Sequence, residues 1–456
     1  MEHRIHLPSN VQINQDLTRP IVKTGRKFYI AVAILGALMA WALFCWGYQI
    51  YWGLGVAGLN RPVMWAVYIT NFVFWIGISH AGTLISAILR VCNARWRRPI
   101  TRCAEAITVF ALMIGPMFII IHLGKPWLFY WVLPYPSREL WPNFRSPLLW
   151  DFTSINTYLL GSITYLYLPM IPDLAVLRDT VTKRWQKALY RALALGWTGT
   201  QRQWRSLEAA ITIMAVIIIP IAVSVHTVVS WVFAMTLNPM WHSTIFGPYF
   251  VVGAIFSGIA ALIVAMALIR KLLHLEEYLR PVHFNNLGLL LLTMSCLWFY
   301  FTFSEYLTVW YGNEPDEMAS FWYKLSGGFA PFFWTMVAAC FLIPFPILAI
   351  KKLRTITGTF IASLSVCIGM WLERYIIVVG TLTHPRLPFN WHEYTPTWVE
   401  LSIMAGAFAY FIFLYVIFSK LFPIISIWEL KEGRSEEATV TEAKAPAAQV
   451  GSEYAN

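Results

Sequence analysis

Long apolar runs separated by short clusters of charge recur along the whole chain. Ten stand out, at 27–51, 62–91, 103–123, 148–170, 208–230, 247–270, 286–310, 330–350, 357–382 and 398–422. Each is about 20 to 30 residues long, enough to cross about 30 Å of hydrocarbon with some tilt. A membrane β-barrel would instead show stretches of about ten residues with alternating hydrophobicity. The pattern predicts an all-α polytopic membrane protein with ten transmembrane helices. An even number of spans returns both ends of the chain to one side.

Composition sharpens this picture. Of 456 residues, 58% are hydrophobic and 12% are charged, about half the charged share of soluble domains. Twenty-seven Lys and Arg fall on the side of the two tails, against six in the opposite loops (Arg61, Lys125, Arg138, Arg145, Lys324 and Arg386). That asymmetry predicts cytoplasmic termini. It also accounts for the formal net charge of +11 without nucleic-acid binding. Six isolated cysteines show no metal-ligand spacing, which excludes zinc, iron–sulfur and covalently attached haem motifs.

The segments between spans add detail. Residues 1–26 read as a polar cytoplasmic tail, with no cleavable signal. The stretch 174–193 spaces Leu174, Leu177, Val181, Trp185 and Leu189 as one amphipathic helix on the membrane surface. Residues 433–456 read as a disordered cytoplasmic tail. The outer segments KPWLFYWVLPYPSRELWPNF (Lys125 to Phe144) and RLPFNWHEYTPTW (Arg386 to Trp398) carry the aromatics of a headgroup belt or a docking surface. Helices two to five and six to nine share orientation and faint echoes, SAILR against AMALIR and Pro147/Trp150 against Pro331/Trp334. These suggest two four-helix bundles, 62–230 and 231–382 with its preceding loop. The first helix and its loop (27–61) and the last with its outer loop (383–432) flank them.

Ionisable residues inside hydrocarbon are functional candidates by their cost. Helical rise puts His122, His226, Glu305, Glu373 and Arg374 about 25 Å or more from the inner boundary, with Asp151 in the first turn of an inward-running helix. All six then lie in the outer third. A histidine and a carboxylate there would hydrogen-bond the two oxygens of a hydroquinone and take its protons. His80, Glu105 and Glu208 lie further inward, as members of a proton route. Gly77, Ala81, Gly82 and Ser86 give the helix of His80 a small-residue face for a neighbouring helix or a flat ligand.

Four segments carry a resemblance: NFVFWIGISHAGTLISAILR (Asn71 to Arg90), IHLGKPWLFYW (Ile121 to Trp131), WPNFRSPLLWD (Trp141 to Asp151) and WELKEG (Trp428 to Gly433). They resemble the NrfD/polysulfide reductase membrane subunits, and within that family the ActC branch of alternative complex III. The resemblance implies the ten-helix, two-bundle architecture in a bacterial inner membrane and a menaquinol site in the first bundle near the outer face. It implies no haem, iron–sulfur cluster or metal in this chain. Electrons would pass to an iron–sulfur subunit docked outside, then to multihaem cytochrome c subunits, beside a second NrfD-like subunit. His122 and Asp151 carry over as the quinol ligands, with Arg374, Glu305, His226 and His392 as further members placed mainly by depth or position. His80 belongs to the HAGTLISA helix, and Glu105, Glu208 and Glu373 to a proton route. Against this stands a secondary transporter, whose site would lie near the midplane. A b-type cytochrome with His122 and His226 as axial ligands, and a scaffold or proton-conducting subunit without quinone, are further readings.

Overall fold

The computed structural model describes residues 8–132 and 146–444; every regular element among them is helical. Ten helices are long and apolar enough to span a membrane: α1 (Arg26–Trp52), α2 (Val67–Val91), α3 (Thr101–His122), α4 (Pro147–Tyr167), α5 (Gln201–Ala234), α6 (Phe246–Leu272), α7 (Pro281–Gly312), α8 (Ala330–Ala349), α9 (Ile356–Leu382) and α10 (Trp398–Leu421). Their positions match the ten apolar runs. Most of the outer segment Lys125 to Phe144 (133–144, with Arg145) lies outside the described residues, as do 445–456.

Helix α2 is the centre of the molecule, packed by α3, α5, α6 and α9. Helix α4 closes on α3 and α5, while α6, α7, α8 and α9 pack among themselves. Helices α1 and α10 pair with each other on the outside, joined to the rest chiefly through α3. Small residues set these distances. A Cβ on Gly82 would overlap the Ala104 carbonyl oxygen, so only glycine lets α2 and α3 approach so closely.

Helix α8 is interrupted by a π turn, Ala338–Leu342. Pro344 lacks the N–H that would bond the Cys340 carbonyl. Ser295 Oγ of α7 donates to that carbonyl instead at 2.8 Å, and Ser365 Oγ of α9 to the Ala339 carbonyl at 2.9 Å. Neighbouring hydroxyls thus satisfy backbone that a broken helix leaves open in lipid.

On the tail side, the structure adds a helix to one expected segment and corrects the reading of two others. The N-terminal stretch contains a helix, Asn10–Val22, that buries Ile13, Leu17 and Ile21 against α10 and the C-terminal helix. Lys420 Nζ donates to its last carbonyls, Pro20 at 2.5 Å and Lys23 at 2.8 Å. The stretch 174–193 is two helices, Ile171–Thr180 and Arg184–Leu193. Leu174 and Leu177 of the first are fully buried, so only the second, with Trp185 exposed, is a surface helix. The β-branched run Thr180 to Thr182 at the break disfavours helix. Finally, the expected disordered tail is helical through Lys444, because Ile427–Lys444 starts in a buried clasp. There Asp173 Oδ2 pairs with Arg102 Nη1 at 2.6 Å and accepts the Ile427 amide at 2.9 Å, while Oδ1 accepts the Trp428 amide. Glu429 meets Arg90, Arg97 and Thr101.

Candidate functional site

His122 is the last residue of α3, where Gly124, with φ of +68°, turns the chain away. Its half-buried ring faces Tyr68 edge-on at 6.5 Å, and its Nδ1 is buried without a hydrogen-bond partner. The turn beneath it is pinned by a chain of two hydrogen bonds. Tyr68 donates to Gln49 Oε1, and Gln49 Nε2 donates to the Ile121 carbonyl at 3.0 Å. Asp151 lies in the first turns of α4, on the face that also buries Ile155, Tyr158 and Ser162. It is 3% exposed, and its Oδ1 has no partner. An unpaired buried carboxylate oxygen is costly and marks a place where a proton or a hydroxyl donor belongs.

Deeper in the membrane, His80 of α2 and His226 of α5 are both fully buried with ring centroids 4.4 Å apart. None of their four ring nitrogens has a hydrogen-bond partner. This corrects the depth arithmetic. Rise counted from each apolar run put His226 in the outer third and His80 further inward, whereas the ring contact sets both at one level, midway along α2. The HAGT sequence is opened locally by α3. Thr108 Oγ1 donates to the Ser79 carbonyl and accepts the Thr83 amide, both at 2.7 Å, the two groups that an unbroken helix joins to each other. Tyr158 OH also donates to the Ser79 and His80 carbonyls. Toward the tail side, Ser86 Oγ donates to buried Glu105 at 2.6 Å. The small face of α2 therefore packs α3 at Gly82.

A second polar group lies between α6, α7 and α9. Trp298 Nε1 donates to Glu373 Oε1 at 2.5 Å, and Glu373 Oε2 stands 2.9 Å from Arg374 Nη1. The Arg374 guanidinium covers the Phe250 ring at 4.7 Å and presses on Gly253, where a Cβ would meet Nη2 at 2.7 Å. Ser243 donates to Glu305, whose other oxygen is buried and unpartnered.

Two expected members are not gathered in. His392 has an exposed side chain in the α9–α10 connection, where its backbone N–H donates to the Thr383 carbonyl. Glu208 is exposed in the second turn of α5, away from buried Glu105. One residue was missed. Lys324, counted as a loop charge, lies on a helix, Pro315–Leu325, in a connection on the side opposite the tails, and is 3% exposed. Its Nζ donates to Thr381 Oγ1 at 2.7 Å, and burial pushes its pKa down to about 7. The signal was its place in the amphipathic segment Met318 to Leu325, on the apolar stripe with Phe321. Among the described residues, no three His, Cys, Asp or Glu side chains group as metal ligands would.

A ten-span helical membrane protein with unpaired acids and imidazoles inside it is of the class built around transmembrane polar sites. The family model for polysulphide reductase, NrfD, matches residues 55–385, and the chain belongs to that family. It is 26% identical to a putative dimethyl sulfoxide reductase membrane protein of Halobacterium salinarum, over 52% of this chain; it spans only about half (51%) of that relative. It is 23% identical to the integral membrane subunit of a menaquinone reductase of Nitratidesulfovibrio vulgaris, over 84% of this chain and 89% of the other. It is 22% identical to the integral membrane subunit of an Hdr-like menaquinol oxidoreductase of Archaeoglobus fulgidus, over 88% and 94%.

Proposed function

We propose that this chain is the menaquinol-oxidising membrane subunit of a respiratory or photosynthetic complex of the alternative complex III type, in a bacterial inner membrane with both tails cytoplasmic. The observation that carries the reading is the pair of unpartnered groups near the outer ends of α3 and α4, His122 Nδ1 and Asp151 Oδ1. A hydroquinone has two hydroxyls, each needing an acceptor before its proton can leave. Neutral imidazole and carboxylate are those acceptors. Names of the relatives that include menaquinone or menaquinol support the substrate class. In this reading the α2–α5 group is the first bundle, holding the quinol, and α6–α9 is the second.

Protons taken by His122 and Asp151 leave toward the outer face. Electrons pass to an iron–sulfur subunit docked on the outer loops and on to multihaem cytochrome c subunits, beside a second NrfD-like subunit. Placing the site near that face shortens the electron path to the partner. In this reading Arg374, Glu373, the His80–His226 pair and Glu105 would serve the site as further buried polar groups, not as its direct ligands.

The test is Asp151→Asn and His122→Ala, each assayed in the assembled complex. Removing a general base slows proton transfer by about a hundredfold to ten-thousandfold. We expect quinol oxidation to fall in that range while the complex still assembles. Wild-type turnover in both variants would overturn the reading.

A further inference from the structure

Lysine buried for structural reasons is normally paired with a carboxylate. Lys324 is not: among the described residues its Nζ touches the Thr381 hydroxyl and lies 3.7 Å from Met240 Sδ, with no carboxylate within ion-pair distance. A cavity of about 20 Å³ adjoins it, bounded also by Glu305, Glu373, Tyr249 and Tyr306. That is room for about one water, with enough polar groups around it to hold one. Glu305 lines the cavity and carries a buried, unpartnered oxygen.

We propose that Lys324 and Glu305, across this cavity, form a proton outlet on the outer side of the α6–α9 half, separate from the release of the hydroquinone's own protons. Glu305, as the acid, gives its proton across the cavity to the neutral Lys324 amine, leaving a carboxylate and an ammonium. The ammonium then loses a proton to the outer medium past Glu317, which restores the amine, and the Glu305 carboxylate takes its next proton from the Glu373 side of the cavity. Only O–H and N–H bonds change, and no electrons move.

Geometry supports both ends of this route. Outward, half-buried Glu317 lies two turns before Lys324 on the same helix and accepts the Met240 amide at 3.4 Å. Inward, Glu373 lines the same cavity and pairs with Arg374. The groups facing Lys324 are Glu317 from its own helix, Glu305 and Tyr306 from α7, Tyr249 from α6, and Thr381 and Glu373 from α9. Met240 from the α5–α6 connection and His384 from the outer loop complete the set. A pKa of about 7 makes both forms of the amine accessible near neutral pH.

The proposal rests on the quinol reading only for its driving force. The test uses the full complex, purified through a tag on this chain and sealed in liposomes. Quinol oxidation and outer acidification are recorded together, with and without a protonophore. We expect the wild type to release more than the two protons that each hydroquinone itself supplies. Lys324→Met should reduce release to those two, with turnover under protonophore within about twofold of wild type; Glu305→Gln should bring the proton-to-quinol ratio down to two at whatever turnover it retains, the ratio being the readout. Should Lys324→Met fail to assemble, the isosteric Glu305→Gln carries the test. Release of only two protons by the wild type, or an unchanged ratio in the variants, would overturn the proposal. Failure of the quinol site shows differently, as turnover that survives Asp151→Asn and His122→Ala.

Discussion

Replacing Arg102 by methionine would strip the clasp at the tail side of the cation buried most deeply among its described residues. Arg102 is 1% exposed and donates to Asp173 at 2.6 Å, to the Pro423 and Ile425 carbonyls and to the Pro169 carbonyl. Methionine fills a similar length but leaves Asp173 with a buried, uncompensated charge. Breaking one side of such a pair costs about 3 to 5 kcal/mol. At about 1.4 kcal/mol per factor of ten, opening of the segment that starts at Ile427 should become about a hundredfold to several thousandfold more frequent. Hydrogen exchange at the Ile427 and Trp428 amides, both held by Asp173, reads this directly in the detergent-solubilised complex. Arg90→Gln is the contrast. Its side chain is 15% exposed, and Arg97 and Thr101 still hold Glu429, so its effect should stay within about 1 kcal/mol. Unchanged protection in Arg102→Met, or equal loss in both variants, would refute the reasoning.

Two further outcomes follow from packing and titration. Gly82→Ala should prevent assembly, since the added methyl would overlap the Ala104 carbonyl oxygen and lie 2.5 Å from Thr108 Oγ1; recovery of normally assembled complex by size-exclusion chromatography would contradict it. Lys324 titrates near 7 when folded, against 10.5 in the open chain. The unfolded chain therefore binds the extra proton between those values, so stability should rise with pH across that window and be lowest and flat below it. Thermal denaturation midpoints from about pH 6.5 to 9 should show that rise in the wild type and lose it in Lys324→Met.

The ten spans were legible because about twenty consecutive apolar residues have few other uses. Asp151 and His122 were legible as polar residues near helix ends beside constrained segments. What stayed hidden depends on helix length and rotation. Rise counted along single helices put His226 and His80 at different depths, and only the packing of α5 against α2 brings their rings together. The role of Thr108 in opening α2 needs the crossing of two helices, which no single-helix pattern records. Lys324 was read by its charge when its place on the apolar stripe of a short helix was the better guide. The N-terminal helix and the clasp were missed for a related reason: short amphipathic segments become structure only when their partners are present.

The central claim is that a hydroquinone ring is held between His122 and Asp151. A density map of the intact complex with menaquinol, or a ring-mimicking inhibitor, tests it most directly. The account predicts a flat ring near the outer ends of α3 and α4, with one oxygen at hydrogen-bond distance from His122 and the other from Asp151. A ring bound elsewhere, with that position empty, would contradict it.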